Sequence, residues 1–241
     1  MEIEYLFYAL LIGIIPALLW LWVWLHEDTE HPEPKLMLAI SFVAGMFVAP
    51  IAVIMQMSIE KIIPVSGFVF IGTFIGWNII AWVVVEEALK FGASYFALKS
   101  KAFNEPVDAM IYLITAALGF VAVENTLFAF NNVLDGGING LISGGLSRMI
   151  GPSLLHVVSS GTVGLAISLS FFKPKQTKIL SIYAGLAIAV ILHAIYNMLI
   201  ITQIQKMALI AFGSVWVLAI ILTAGFHIIK KIRKIPQKII Q

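Results

Sequence analysis

Seven long apolar segments, separated by short polar connections, make up nearly all of this 241-residue chain. A helix needs about 20 consecutive apolar residues to cross the hydrocarbon of a bilayer, and each segment reaches that length. The pattern predicts an all-α bundle of about seven transmembrane helices. The third and fifth segments are long enough to tilt, bend or extend beyond the hydrocarbon. The segments are residues 3–25, 36–59, 66–98, 107–130, 144–172, 179–201 and 207–229.

The composition leaves little room for a soluble domain. Hydrophobic residues make up 61% of the chain and charged residues only 12%, whereas a soluble domain carries about 25% charged residues. We therefore expect one integral membrane domain over residues 1–241. The basic residues flank the membrane segments, so nucleic acid is not an expected partner. The absence of cysteine excludes disulfides, thiolate catalysis and cysteine-ligated metals.

The distribution of basic residues predicts how the chain crosses the membrane. Cytoplasmic loops carry an excess of Lys and Arg. Only Lys61 and Lys206 lie in the second and sixth connections. This bias predicts a multi-pass cell-membrane protein with its N-terminus outside and its C-terminus in the cytoplasm, where the basic tail contacts the lipid bilayer. The residues on the basic side are Lys35, Lys99, Lys101, Lys173, Lys175, Lys178, Lys230, Lys231, Arg233, Lys234 and Lys238.

Two adjacent acids, Glu86 and Glu87, interrupt the third apolar segment, and Lys90 follows one helical turn later. Each ionised residue at mid-bilayer costs roughly 2.5–3.5 kcal/mol on insertion scales. Glu86 and Lys90 are four residues apart and share a helix face. One lysine cannot neutralise two acids, so a purely structural ion pair does not account for the group. We therefore expect this segment to carry chemistry.

Ionisable residues of four segments fall at one depth in the membrane. At 1.5 Å of rise per residue, Glu86, Glu124, His156 and His193 lie roughly 18 to 26 Å from the cytoplasmic end of their helices. Intramembrane ionisable residues face the bundle interior or a water-filled cavity and pair with one another. Asn197 follows His193 by four residues and adds an amide to the same helix face. These positions predict a single buried polar site.

Such a site can activate water. A glutamate held among apolar neighbours can act as a general base, and histidine or asparagine can donate to a developing oxyanion. No serine or cysteine is placed as a nucleophile, which favours hydrolysis by water. The residues leave a proton- or cation-coupled transporter open, because such a pathway also uses Glu and His. A zinc protease using Glu86, His156 and His193 is a further alternative, although the chain has no His-Glu-x-x-His motif.

The order of the motifs resembles the PrsW family, within the larger superfamily of CAAX-processing and bacteriocin-processing intramembrane proteases. The resemblance covers about Val65 to Asn197 on successive segments. The prenyl-protein branch of the superfamily has a histidine where this chain has Glu124. A glutamate at this position fits the PrsW branch. The matching motifs are Glu86-Glu87-x-x-Lys90, Asp108, Gly119-Phe120-x-x-x-Glu124-Asn125, Arg148 with His156 and Gly161, and His193-x-x-x-Asn197.

The resemblance implies a glutamate-type intramembrane endopeptidase that cuts a membrane-anchored protein, with an anti-sigma factor as a candidate substrate. Glu86 would activate the water and His156 would help to hold it. Glu87 and Lys90 would support Glu86, and His193 with Asn197 would polarise the scissile carbonyl. No metal or other cofactor is expected. Some superfamily members serve as scaffolds or immunity proteins, so a catalytically inactive scaffold of the same fold stays an alternative.

The resemblance also suggests how the chain is organised around the site. Residues 65–201 are the predicted four-helix catalytic core, with residues 1–64 and 202–241 as accessory helices and the basic tail. Glu124, Asn125, Arg148 and Asp108 are the predicted supporting residues. The position of Arg148 near the outer interface predicts that its side chain extends to the interface or pairs with Asp135, and a role at the site is the further alternative. Asp108 is expected to favour the start of its helix or to contact Lys90.

Overall fold

A computed structural model describes residues 3–28, 31–63 and 66–233 of the chain. It confirms an all-α polytopic bundle. Val65 and the tail residues Lys234 and Lys238 lie outside the described residues. The helices are α1 (Ile3–Leu25), α2 (Lys35–Ile62), α3 (Trp77–Lys99), α4 (Asp108–Ile150), α5 (Pro152–Leu169), α6 (Lys175–Ile201) and α7 (Gln205–Arg233), with a short 3₁₀ turn at His26–Asp28 and two strands, β1 (Gly67–Phe70) and β2 (Thr73–Gly76).

The first part of the third apolar segment forms a β-hairpin, so the prediction of one helix over residues 66–98 is wrong there. Strands β1 and β2 pair antiparallel, with Phe68 opposite Ile75. Ile71 and Gly72 make the turn with φ of 49° and 79°, as a two-residue turn with positive φ at both positions requires. Aromatic and β-branched residues favour strands, and apolar content alone does not separate a strand from a membrane helix. Helix α3 begins only at Trp77.

Helix α4 reverses direction at Gly137, inside the predicted loop between the fourth and fifth segments. Gly137 has φ 58° and ψ −147°, a conformation that is essentially restricted to glycine. The second arm of α4 (residues 138–150) folds back along the first arm (residues 108–136), and Arg148 of the second arm contacts Glu124 of the first. The helix is then interrupted at Gly151, and α5 begins at Pro152. The predicted segment 144–172 is therefore divided into two helical elements at Gly151, but the stretch Gly137–Leu169 is still long and apolar enough to span a membrane as one unit.

The first arm of α4 forms the centre of the bundle. Every residue from 106 to 122 is buried, and the arm packs against α1, α2 and α5. Two glycines bring α2 close to it. A Cβ on Gly119 would lie 1.9 Å from the Phe42 carbonyl oxygen, and a Cβ on Gly45 would lie 2.0 Å from the Ala116 carbonyl oxygen. Small residues permit such close approach of membrane helices.

Contacts at one end of the bundle place the lysine-rich connections on a common face. Glu27 beside the first connection accepts a hydrogen bond from Lys230 near the end of α7 at 3.0 Å. Ser168 at the end of α5 donates to the carbonyl of Pro106 before α4 at 2.5 Å. This grouping agrees with helices that cross in alternating directions. The assignment of this face to the cytoplasm stays a prediction from the basic residues.

The number of membrane crossings is supported in part. Among the described residues, six helical stretches are long and apolar enough to span a membrane, and α3 is not one of them. Helix α3 carries Glu86, Glu87 and Lys90 within its central turns, which lowers its hydropathy. It nevertheless packs against α2, α4 and α6. The protein is thus a multi-pass membrane protein, and a count of seven crossings stays a prediction.

Candidate active site

Lys90 is at the centre of a buried polar cluster formed by α3, α4, α5 and α6. Its side chain is fully buried. The ammonium nitrogen lies 2.6 Å from Glu87 Oε1, 3.1 Å from His156 Nδ1 and 3.4 Å from Ser159 Oγ. A lysine ammonium has three protons to donate and cannot accept a hydrogen bond. Each of these three atoms therefore accepts one hydrogen bond from Lys90, and His156 Nδ1 carries no proton of its own.

His156 uses both of its ring nitrogens within the cluster. Because Nδ1 accepts from Lys90, the neutral ring carries its proton on Nε2, which lies 3.2 Å from Glu124 Oε2. The ring stacks against Phe120, with the ring centroids 5.6 Å apart. His156 is buried. The sequence predicts that His156 holds a water molecule. Both of its ring nitrogens are instead engaged by side chains, Nδ1 by Lys90 and Nε2 by Glu124.

The second arm of α4 delivers Arg148 to the same cluster. Arg148 donates through a terminal nitrogen to Glu124 Oε2 at 2.5 Å and through Nε to Asn125 Oδ1 at 2.7 Å. The amide of Asn125 donates in turn to Ser153 Oγ at 2.9 Å. The alternative partner Asp135 has no described side chain. Arg148 thus contacts Glu124 and Asn125 of the cluster, which agrees with the third of the sequence alternatives.

His193 of α6 links the two adjacent glutamates of α3. Its Nδ1 lies 2.7 Å from Glu87 Oε1. An ionised carboxylate only accepts hydrogen bonds, so Nδ1 carries the proton and the neutral ring has a bare Nε2. That Nε2 faces Glu86 Oε2 at 3.6 Å. Glu86 Oε2 is buried and has no hydrogen-bond partner among the described residues. The cluster therefore has one open position, between Glu86 and His193.

Sequence reasoning missed Gln56, which belongs to α2 and lies outside the predicted four-helix core. Its amide nitrogen donates to Glu86 Oε1 at 2.7 Å. A search restricted to ionisable residues does not find a neutral amide. The available signal was a polar residue in the apolar segment 36–59, on the same face as the small residues Ala49 and Ala52.

The charges of the cluster do not balance when both imidazoles are neutral. Glu86, Glu87 and Glu124 contribute three negative charges, and Lys90 and Arg148 contribute two positive charges. Buried charge without compensation is costly. One additional proton restores neutrality. The place for it is the open position, where an unpaired carboxylate oxygen faces a bare imidazole nitrogen.

Two predicted site residues do not join the hydrogen bonds of the cluster. Asn197 is half-buried, one turn after His193, and none of the side-chain hydrogen bonds among the described residues involves it. Asp108 lies 16 residues before Glu124, about 24 Å away along the helix. It accepts hydrogen bonds from the backbone amides of Asn104 and Glu105 at 2.8 and 2.7 Å. Asp108 therefore stabilises the turn before α4, and the suggested contact with Lys90 is absent from the described contacts.

The chain is similar to known membrane proteases over most of its length. The profile of a family described as "PrsW family intramembrane metalloprotease" matches residues 33–225. Protease PrsW of Clostridioides difficile (strain 630) is 26% identical over 195 residues, which cover 80% of this chain and 79% of the relative. Protease PrsW of Geobacillus kaustophilus (strain HTA426) is 23% identical over 193 residues, or 79% of each chain. No solved structure matches the chain.

The family description raises the question of a metal ion. Glu86, His156 and His193 each offer one ligand atom, and these atoms lie within 4.8 Å of one another. Glu86 Oε2 and His193 Nε2 are open, and Glu87 supports His193 as a carboxylate often supports a metal-bound histidine. Both nitrogens of His156, however, are engaged by Lys90 and Glu124. A catalytic zinc needs three protein ligands, so the donor set as arranged does not fit a resident metal.

Proposed function

Because the chain belongs to the PrsW family of intramembrane proteases, we propose that it is a glutamate-type endopeptidase that hydrolyses a peptide bond of a membrane-anchored protein. The observation that supports this proposal best is the open position between Glu86 Oε2 and His193 Nε2, which are 3.6 Å apart. The other charged groups of the cluster are paired with one another. Among the described residues of the cluster, only this position leaves an acidic oxygen without a hydrogen-bond partner and facing an imidazole nitrogen.

Glu86 is the proposed general base. Its Oε2 removes a proton from a water molecule, and the resulting hydroxide attacks the carbonyl carbon of the scissile peptide bond. A carboxylate held in an apolar environment is suited to this role, because a general base transfers protons most efficiently when its pKa lies near the operating pH. When the tetrahedral intermediate collapses, the C–N bond breaks. The leaving nitrogen then takes the proton from the Glu86 carboxyl.

His193 is the proposed donor to the oxyanion. The additional proton of the cluster, when it resides on His193 Nε2, gives an imidazolium beside an ionised Glu86. Glu87 accepts the hydrogen bond from Nδ1 at 2.7 Å and thereby fixes the ring and stabilises its positive charge, as the buried aspartate of a serine-protease triad does. The amide of Asn197 makes no side-chain hydrogen bond among the described residues and is the proposed donor of a second hydrogen bond to the substrate carbonyl.

The remaining cluster residues fix these two groups in place. Lys90 donates hydrogen bonds to Glu87 and His156. His156 contacts Glu124, which in turn accepts a hydrogen bond from Arg148. We therefore revise the role of His156 from holding the water to orienting Lys90. A catalytic pair is most effective when packing and further hydrogen bonds lock its geometry.

A single-pass membrane protein is the proposed class of substrate, and an anti-sigma factor is the first candidate from the family resemblance.

The decisive experiment compares wild-type protein with Glu86→Gln in liposomes that contain membrane proteins of the host. Glu86→Gln keeps an acceptor for Gln56 but cannot take a proton. Glu4→Gln is the matched control, because Glu4 lies at the start of α1 and its side-chain hydrogen bond among the described residues is the one that it accepts from Tyr8.

We expect new protein fragments with the wild type and with Glu4→Gln, and none with Glu86→Gln. Cleavage retained by Glu86→Gln would remove Glu86 as the base. A wild-type protein that cleaves nothing but carries a pH-dependent ion flux in the same liposomes would instead support the transporter. A wild type with neither activity would support the inactive scaffold.

A further inference from the structure

We propose that Gln56 of α2 is a positioning residue of the catalytic site, which holds one oxygen of Glu86 so that the other faces His193. This inference rests on the proposed function of Glu86. The amide of Gln56 donates to Glu86 Oε1 at 2.7 Å, and Oε2 is the oxygen without a partner among the described residues. Helix α2 then contributes to catalysis, although the sequence places it among the accessory helices.

The inward face of α2 places Gln56 against α3. The buried residues Gly45, Ala49 and Ala52 recur at intervals of four and three along α2, and Gln56 follows Ala52 by four. Ala49 and Ala52 pack with Val85 and Leu89 of α3. The short side chains let the two helices approach closely. The amide at position 56 is thereby brought within hydrogen-bond distance of Glu86.

The rest of α2 around this position faces outward. Ile54 and Met57 are exposed by 64% and 55% of their surface, which in a membrane means contact with lipid. An amide transferred to hydrocarbon without a partner is strongly unfavourable. Gln56 is therefore stabilised by its hydrogen bond to Glu86, and loss of the Gln56 amide would leave the Glu86 carboxylate without a donor among the described hydrogen bonds.

The two oxygens of a carboxylate are chemically equivalent until the surroundings distinguish them. Free rotation of the Glu86 carboxyl would exchange the oxygens and let the side chain turn away from His193. A hydrogen bond to an ionised group is about twice as strong as one between neutral groups. The Gln56 amide therefore keeps Oε1 occupied as an acceptor and keeps Oε2 directed at the open position. This role affects the orientation of the base rather than the binding of substrate.

The test is a kinetic comparison of two Gln56 variants with a control on the same helix. Gln56→Met keeps the length of the side chain without the donor, and Gln56→Asn keeps the donor about one bond length short. We expect kcat to fall about tenfold in both, with KM unchanged. Ser58→Ala is the control and should retain wild-type kcat, because the Ser58 hydroxyl donates only to the Ile54 carbonyl of its own helix among the described residues. A kcat within twofold of wild type for Gln56→Met, or a loss confined to KM, would overturn the inference.

A second measurement does not depend on protease activity. A hydrophobic carbodiimide modifies membrane-buried carboxyl groups, and mass spectrometry reports the rate at each one. We expect Glu86 to react at least threefold faster in Gln56→Met, since its covered oxygen becomes free, while Glu124 of the same protein serves as the internal standard. Unchanged reactivity of Glu86 would overturn the positioning role. If Glu86 reacts faster in Gln56→Met but the wild-type protein cleaves no substrate, the contact between Gln56 and Glu86 would be supported and only the proposed function would be refuted.

Discussion

Replacing Lys90 with methionine tests whether the cluster is held together by its central cation. The substitution keeps a long unbranched side chain but removes the three hydrogen bonds to Glu87, His156 and Ser159. It leaves Glu87, which is only 2% exposed, without its nearest opposite charge. The net charge of the cluster with neutral imidazoles then changes from −1 to −2.

The expected cost is large because both partners are buried. Removing one member of a buried ion pair destabilises a protein by about 3–5 kcal/mol. The shortest contact, 2.6 Å between Lys90 Nζ and Glu87 Oε1, is a charge-assisted bond, whereas the 3.4 Å contact to Ser159 contributes little. We therefore expect the midpoint of thermal unfolding in detergent to fall by about 10 °C. Intrinsic tryptophan fluorescence during heating measures it.

The double variant Lys90→Met/Glu87→Gln makes the measurement specific. It removes both charges, and the glutamine carbonyl still accepts from His193, so more than half of the lost stability should return. Lys99→Met is the matched control, because Lys99 is exposed at the end of α3 and should cost less than about 0.5 kcal/mol. An unchanged midpoint in Lys90→Met, or a double variant no more stable than the single one, would refute the reasoning.

Three further predictions concern packing, metal content and topology. Gly119→Ala should destabilise the bundle by about 1–3 kcal/mol, because the new Cβ would meet the Phe42 carbonyl oxygen at 1.9 Å. Gly213→Ala is the control, since a Cβ there would have nothing within 4 Å. The thermal midpoint should fall in Gly119→Ala alone. Purified protein should contain well under one metal ion per chain by elemental analysis and keep its activity in a chelator, and a stoichiometric metal lost together with activity would contradict the interpretation of the donor set. The chain has no cysteine, so Lys175→Cys gives a single thiol, which an impermeant maleimide should label only from the cytoplasmic face; labelling from outside would reverse the predicted orientation.

The sequence predicted the centre of the site because charge in hydrocarbon is exceptional. Glu86, Glu87, Lys90, His156 and His193 stand out in apolar segments, and their common depth follows from helix rise alone. The structure brings these five side chains together. Their individual catalytic roles stay predictions.

Features without a distinctive composition could not be foreseen. The reversal at Gly137 lies in a glycine-rich stretch that is equally compatible with a loop, and only the backbone angles reveal that the second arm returns. The hairpin from Gly67 to Gly76 is as apolar as a membrane helix. Gln56 carries no charge, and a polar residue in an apolar segment is ordinarily assigned to helix association.

The cluster also has a definite order of completion during synthesis. Its residues follow one another along the chain from Gln56 through Arg148 to His193, which belongs to the sixth helix. Under the proposed mechanism, a ribosome-bound chain that has not yet inserted α6 lacks the imidazole beside Glu86 and would not cleave neighbouring proteins. The same proposal implies that proteolytic activity begins only once α6 has been synthesised and inserted.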